Sequence, residues 1–503
     1  MSFTFRPALA LMSGRILGAM AAAIVPLVLV RVLDAPAFGT YKQVFLVYTT
    51  IFGIAQFGMA ESLYYFLPHR PRDAGRYVAN SLLMLMGAGL LCMGLLTLFA
   101  HSVAVGMNNP SLARPLTLLG LYLALMLASG VLEIAMTAKG RYTLAAVSFA
   151  LSDVVRSALF VVPVLLLGTV EALLAGAALF AVIRLVAAGL WLWREFGRQF
   201  RPDTALLKTQ IAYALPFAAA VLVHILQENF HQYAVSSRFD AAVFAVYAVG
   251  CLQIPLVDFL STSVSNVMMV RMAEDLSAGR RERILPQWHD ATRKLALLFC
   301  PLVGLLLVNA RGIIQILFTE KFLQSVPIFM LWSLAFLAAI LQIDGVLRVY
   351  ADTRFLLFMN LCRLGLVMLL IHPFLRLFGL PGAVLVTLLA LFAGKTMALA
   401  RIGRHLRVGP ARWLPWFDLS RIAAACAGAL VPALLIRAVL PPTTAMTSWL
   451  SVLAAGTVYA VCCCALLLTF RAVSFPHEAL ARARAAHLLW PAPAGRSQTP
   501  GTP

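Results

Sequence analysis

Long apolar runs recur along the whole chain and are separated by short polar stretches. A helix rises about 1.5 Å per residue and the hydrocarbon core of a bilayer is about 30 Å thick, so a run of roughly 20 apolar residues can cross it. The pattern predicts about fourteen transmembrane helices, and hence an all-α, polytopic membrane protein. The predicted spans are 9–33, 41–67, 77–99, 114–138, 143–168, 170–193, 208–236, 243–270, 291–318, 325–350, 354–378, 380–403, 417–440 and 447–470.

A short segment occurs twice in this pattern. The residues D-A-P-A-F-G-T-Y from Asp34 to Tyr41 return as D-A-A-V-F-A-V-Y from Asp240 to Tyr247, each between two apolar runs. The offset of about 206 residues predicts two repeats with equal numbers of helices. Six spans precede a basic segment and six follow it, which leaves two without a counterpart. The predicted division is a six-helix lobe at 1–193, a basic cytoplasmic linker at 194–207, a second six-helix lobe at 208–416, two additional helices at 417–470, and a cytoplasmic tail at 471–503 with a disordered end.

Composition supports a membrane protein and excludes other classes. Hydrophobic residues make up 62% of the chain and charged residues 12%, while the formal net charge is +20. The Lys and Arg residues stand in short runs between apolar spans, mostly at every second connection, so they indicate orientation with both termini in the cytoplasm and not a nucleic-acid surface. The eight cysteines lie within apolar spans without metal-ligand spacing, and we predict neither a metal nor a cofactor.

Polar residues inside two adjacent spans form stripes at helical spacing. In the seventh span they are His224, Gln227, Glu228 and His231, and in the eighth Asp258, Ser261, Thr262, Ser265 and Asn266. Polar and ionisable groups are costly in hydrocarbon, so such stripes face protein or water. They predict a polar lumen, which would pass a glycan or couple transport to an ion. The alternative is that the two stripes bond to each other and hold the helices together.

Four buried cations form a second pattern in the predicted cytoplasmic half of the membrane: Arg15, Arg184, Arg363 and Lys395. Guanidinium groups bind phosphate oxygens bidentately, so converging Arg and Lys side chains suit a pyrophosphate. The alternative is snorkelling, in which each side chain reaches the interface by itself. Two further pairs, Asp153 with Arg156 and Asp344 with Arg348, have the spacing of ion pairs within a helix.

Several motifs resemble one known family in their order and spacing. They are R-V-L-D-A-P-A-F-G-T-Y (31–41), G-M-A-E-S-L-Y-Y-F-L-P (58–68), Y-A-L-P-F (213–217), and V-S-N-V-M-M-V-R-M-A-E-D-L with the later I-L-F-T-E-K-F. Together they resemble the multidrug, oligosaccharidyl-lipid and polysaccharide (MOP) exporter superfamily, and within it the Wzx-type polysaccharide and O-antigen flippases. The resemblance implies two six-helix lobes around a cationic cavity, two extra helices that offer a groove for a lipid tail, and alternating access.

These observations predict a transporter and not an enzyme. The expected substrate is an undecaprenyl-pyrophosphate-linked oligosaccharide, moved across the bacterial inner membrane for surface polysaccharide or lipopolysaccharide biosynthesis. The expected partners are this lipid-linked oligosaccharide, membrane lipids and a polysaccharide polymerase, with no nucleic acid. The alternatives are an ion-coupled drug or metabolite antiporter of the same superfamily and a membrane glycosyltransferase or polymerase. Short outer loops argue against the last, because such enzymes usually place their site in a large outer loop.

Overall fold

The computed structural model describes residues 5–441 and 445–470, and these residues are almost entirely helical. Twelve helical segments in this part are long and apolar enough to cross a membrane, and two further bent pairs bring the total to 14 if each pair is one span. The predicted all-α, polytopic fold of about fourteen spans is therefore confirmed. The predicted cytoplasmic tail at 471–503 lies outside the described residues.

The first half contributes six spans. They are built from α1 (Phe5–Val32), α2 (Ala35–Ala55), α3 (Met59–His69), α4 (Ala74–Gly106), α5 (Ala113–Ser129), α6 (Val131–Ala138), α7 (Tyr142–Leu167) and α8 (Val170–Phe196). Helices α2 and α3 form one span and α5 and α6 another. The break between α2 and α3 is made by Phe57 and Gly58, which both have positive φ. Glycine adopts that backbone conformation without steric cost.

The second half contributes six more spans. They are α9 (Thr204–Ser236), α10 (Ala241–Gly250) with α11 (Pro255–Ser277), α12 (Ile284–Phe318), α13 (Val326–Ser333) with α14 (Ile343–Val349), α15 (Thr353–Phe378) and α16 (Leu380–Leu406). The last two spans, α17 (Trp416–Val439) and α18 (Ala445–Thr469), pack on α12, where Tyr459 lies over Gly304. Their contact with α12 includes a 2.8 Å hydrogen bond that Arg437 Nη1 donates to the Val308 carbonyl oxygen.

The repeated segment begins a helix in the same way in both halves. Asp34 caps α2 by accepting a 2.8 Å hydrogen bond from the Ala37 backbone N–H, and Asp240 caps α10 by accepting one of 2.8 Å from the Val243 N–H. An aspartate side chain satisfies a helix N–H that has no partner within the helix. The two copies also meet, because α2 packs on α10 with Gly39 directly against the Ala241 carbonyl.

This contact gives a first testable prediction. A Cβ atom at Gly39 would overlap the Ala241 carbonyl oxygen, and overpacking of this kind typically costs about 1–3 kcal/mol. We expect Gly39→Val to lower the unfolding temperature of the purified protein in detergent by several degrees. Gly87→Val is the matched control, because nothing lies within 4 Å of a Cβ atom at Gly87. Equal stability of the two variants would contradict the close packing of the repeats.

The predicted spans are not all continuous. Helix α9 bends by 49° between its parts 204–216 and 221–236, and α10 meets α11 at 45°. Proline accounts for both breaks: Pro216 lies at the α9 bend and Pro255 begins α11, and a proline has no N–H for the helical ladder. A third break lies between α13 and α14, where a 3₁₀ segment (Leu334–Ile340) is followed by extended backbone at Leu341. Three spans of the second half are therefore interrupted helices.

Helix α9 contacts both halves of the protein. Near its start, Gln210 Nε2 donates hydrogen bonds of 2.8 Å to Ser62 Oγ and 2.7 Å to Ser81 Oγ in the first half. After the bend, Asn229 Nδ2 still donates a 3.0 Å hydrogen bond to Thr50 Oγ1 of the first half, while Gln227 contacts Arg363 on α15 of the second half. The part of α9 after Pro216 therefore lies between the two halves.

Candidate functional site

A cavity of about 540 Å³ lies within the second half of the protein. Its wall is formed by α9, α11, the 3₁₀ segment 334–340, α14, α15 and α16, and every lining residue lies between His224 and Lys395. All nine residues of the two predicted polar stripes line it, together with two of the four predicted cations: His224, Gln227, Glu228, His231, Asp258, Ser261, Thr262, Ser265, Asn266, Arg363 and Lys395.

The stripe on α9 presents its side chains at successive turns. Gln227 is buried and, with its amide oxygen facing Arg363, accepts hydrogen bonds of 2.8 Å from Nη2 and 3.2 Å from Nη1 of that guanidinium. Its amide nitrogen then donates to Asn360 Oδ1 at 3.2 Å. His231 is also buried, and its Nδ1 lies 2.6 Å from the Tyr247 hydroxyl. Gln227 and His231 thus connect the cavity wall to α15 and α10.

The two polar stripes face the cavity and do not bond to each other. Among the described residues, no hydrogen bond or ion pair joins His224, Gln227, Glu228 or His231 to the α11 stripe of Asp258, Ser261, Thr262 and Asn266. Glu228 Oε1 lies 3.4 Å from His224 Nε2 on its own helix. Ser261 donates to the Asp258 backbone carbonyl, also within its own helix, at 3.3 Å. The arrangement favours a lumen over bonding between the stripes.

The two cations of the cavity are held by unusual local packing. Arg363 crosses directly over Gly394, where any side chain would collide with it. Lys395 Nζ donates a 2.9 Å hydrogen bond to the Leu341 carbonyl oxygen. That carbonyl is available because the chain is extended at Leu341, after the 3₁₀ segment. In a membrane protein, broken helical backbone is tolerated where it lines a cavity or is buried in protein.

The other two predicted cations lie elsewhere. Arg184 is in the first half, where its guanidinium donates 2.7 Å bonds to Glu133 Oε2 and to Ser152 Oγ and a 3.2 Å bond to Ser129 Oγ. Arg15 is exposed on α1, with its guanidinium carbon 5.0 Å from the centre of the Phe149 ring. The structure therefore brings Arg363 and Lys395 together and leaves Arg15 and Arg184 outside this cavity. The four cations therefore do not converge on one site. The Arg184 guanidinium instead pairs with the buried Glu133 carboxylate in its own half.

Two further charged residues, Asp344 and Arg348, line the cavity. The ion pair predicted between them is not formed, because no Arg348 nitrogen lies within 4.0 Å of an Asp344 carboxylate oxygen. The signal for both was present in the sequence as charges within an apolar span, but their i, i+4 spacing suggested a local pair instead. The corresponding prediction for Asp153 and Arg156 is confirmed, since Arg156 Nη2 lies 2.7 Å from Asp153 Oδ1.

Comparisons with known proteins agree with this architecture. Residues 28–327 match the family model described as polysaccharide biosynthesis protein. The chain is similar to a structure described as lipid II flippase MurJ in an inward closed conformation, at a TM-score of 0.72 and 11% identity, over 93% of this chain and 99% of that one. No curated protein sequence matches the chain.

Two more solved structures have the same fold at lower similarity. One is a MOP superfamily transporter from Pyrococcus furiosus, with a TM-score of 0.54 and 15% identity over 80% of this chain and 95% of that one. The other is a multidrug resistance MATE family transporter of the MOP superfamily in an outward-facing conformation, with a TM-score of 0.55 and 13% identity over 80% and 96%. At these identities, the similarity establishes a MOP-type fold for this chain.

Proposed function

Because the chain belongs to the polysaccharide biosynthesis protein family, we propose that it is a flippase that moves undecaprenyl-pyrophosphate-linked oligosaccharide from the inner to the outer leaflet of the bacterial inner membrane. One observation carries the proposal: Arg363 and Lys395, on α15 and α16, line a polar cavity within a bundle of membrane-spanning helices. The lipid tail would stay in the bilayer while the polar headgroup occupies the cavity.

The chemistry of the cavity suits a phosphorylated headgroup. A guanidinium and an ammonium together provide several charge-assisted donors for pyrophosphate oxygens. Charged residues at membrane depth cost on the order of 2.5–3.5 kcal/mol each even on the lenient insertion scale, and they commonly mark a substrate pathway. The amide and hydroxyl groups of Gln227, Ser261, Thr262 and Asn266 supply donors and acceptors for sugar hydroxyls.

Arg15 and Arg184, which lie outside the cavity, have different proposed roles. Arg15 keeps a role in substrate binding, because its exposed guanidinium on α1 forms no ion pair with a described carboxylate. We propose that Arg15 contacts the headgroup as it enters or leaves. Arg184 is assigned to structural support, because Glu133, Ser129 and Ser152 already accept from its guanidinium.

Alternating access would move the two halves relative to each other. We propose lobes at 1–193 and 208–416, a linker at 194–207, and additional helices at 417–470 that stay with α12. Since α9 is bonded to the first half before Pro216 and contacts both halves after it, the bend near Pro216 would let the second part of α9 move relative to the first. We further propose cytoplasmic termini and cooperation with a polysaccharide polymerase.

A second candidate is an ion-coupled drug or metabolite antiporter. It is favoured by Glu228 and Asp258, which line the same cavity and would attract a cationic drug, a proton or a sodium ion. In that case the carboxylates would be the essential groups and the cations dispensable.

The proposed function is tested by deletion of the gene in its native host. We expect lipid-linked oligosaccharide to accumulate in the inner leaflet, surface glycan to disappear, and drug susceptibility to remain unchanged. Extraction of the lipid fraction with identification of its sugars measures the first, and surface labelling the second. Complementation with the intact gene is the control. Normal surface glycan together with raised drug susceptibility would replace the flippase with the antiporter.

A further inference from the structure

The cavity carries charges of both signs in equal number. Its lining includes the carboxylates Glu228, Asp258 and Asp344 and the cations Arg348, Arg363 and Lys395. The formal charges of these six side chains cancel. This differs from the cationic chamber that the sequence predicted. It indicates that the ligand of the cavity carries a positive group as well as a negative one.

The six charged groups are held apart. No Lys or Arg nitrogen of this set lies within 4.0 Å of a carboxylate oxygen in the described residues. Lys395 bonds instead to a backbone carbonyl and Arg363 to the amide of Gln227. The nearest ionisable partner of Glu228 is His224, at 3.4 Å. Opposite charges in a membrane interior gain from pairing, so groups of both signs that stay unpaired are available to a ligand.

The six groups come from different helices. Glu228 on α9 and Asp258 on α11 are the carboxylates of the two polar stripes, and both are exposed and line the cavity. Arg363 on α15 and Lys395 on α16 are two of the cations. No Lys or Arg nitrogen of the described residues lies within 4.0 Å of a carboxylate oxygen of Glu228 or Asp258.

Resting on the proposed flippase function, we propose that the transported headgroup is zwitterionic and carries a free amino group on a sugar in addition to its pyrophosphate. The ammonium group binds between Glu228 and Asp258, while the phosphate oxygens bind Arg363 and Lys395. An ammonium offers three donors and no acceptor, which matches two carboxylates. A neutral sugar would offer the carboxylates only uncharged donors, whose hydrogen bonds are weaker than charge-assisted ones.

The test uses two probes that differ by one substituent: undecaprenyl-pyrophosphate-linked disaccharide with a 2-amino-2-deoxy sugar, and its N-acetylated derivative. The full-length protein is reconstituted in proteoliposomes, and movement of each probe to the outer leaflet is measured. A charged hydrogen bond contributes about 1.5–3 kcal/mol, so we expect the free amine to be preferred by about tenfold or more.

The carboxylates are then neutralised to locate the preference. We expect the Glu228→Gln, Asp258→Asn double variant to reduce the preference to about onefold, with each single variant in between. Glu195→Gln is the matched control and should keep the full preference, because Glu195 bonds to Arg141 outside the cavity. Size-exclusion profiles establish that each variant is folded.

The outcomes are distinct. Equal transport of the two probes by the natural protein overturns the zwitterion proposal and leaves the flippase intact. A double variant that slows both probes while the preference persists assigns the carboxylates to ion coupling and also overturns it. Failure to move either probe counts against the flippase itself, and binding of the probes by native mass spectrometry then decides, with equal affinity for both overturning the amine site.

Discussion

Replacing Arg363 and Lys395 together by alanine is expected to abolish transport of the lipid-linked oligosaccharide. Each charge-assisted hydrogen bond to a phosphate contributes about 1.5–3 kcal/mol, so loss of two corresponds to about 3–6 kcal/mol. Affinity for the pyrophosphate headgroup should then fall by about 100-fold or more. Surface glycan in a complemented deletion strain measures transport, and binding of the lipid-linked substrate to the purified protein measures affinity.

Two companion variants make this result specific. The charge-retaining Arg363→Lys, Lys395→Arg exchange should keep part of the activity, although Lys cannot reproduce the bidentate geometry of Arg. Arg421→Ala is the matched control with full activity, because the Arg421 guanidinium carbon lies 5.0 Å from the centre of the Phe417 ring on α17 and takes no part in the cavity. Surface glycan at the natural level in the double alanine variant would remove the basis of the proposed mechanism.

The second large effect is expected at the buried ion pair of the first half. Glu133 and Arg184 are 2.7 Å apart, and their side chains are only 2% and 11% exposed. Removing one partner leaves an uncompensated buried charge, which typically costs about 3–5 kcal/mol. We therefore expect Arg184→Met or Glu133→Gln to lower the unfolding temperature strongly in detergent, with loss of folded protein at the membrane.

A double variant separates structural support from substrate binding at Arg184. Replacing both partners with leucine removes the two charges together, so stability should recover most of what either single change loses. The double variant is also expected to retain transport, because neither residue lines the cavity. A stable double variant that cannot move the substrate would return Arg184 to the binding site, as the sequence first suggested.

Much of the fold followed from the sequence because bilayer thickness and helical geometry fix it. The number of spans reflects the length of apolar residues needed to cross hydrocarbon. The stripe from His224 to His231 reached the cavity because residues three, four and seven apart share one face of a helix. The aspartates of the repeated segment became helix caps because their side chains satisfy N–H groups at a helix start.

Other features depended on contacts between distant residues. Glu133 and Arg184 are 51 residues apart, and nothing local in either span indicates that they meet. The break at Leu341 occurs in a run without glycine or proline, L-A-F-L-A-A-I-L-Q, so no local rule marks it. Yet this break exposes the carbonyl that holds Lys395. The sequence therefore identified the candidate cations but not which of them would converge.

The position of the cavity has a consequence for how the two copies have diverged. Every lining residue belongs to the later copy, whereas the earlier copy fills its interior with aromatic contacts such as Tyr48 against Tyr122 and Tyr122 against Phe160. On the proposed flippase function, the headgroup would bind mainly to the later copy, and the earlier copy would contribute Arg15 at its entry. Selectivity would then be concentrated in one stretch of the chain, so that a different headgroup would require changes mainly there.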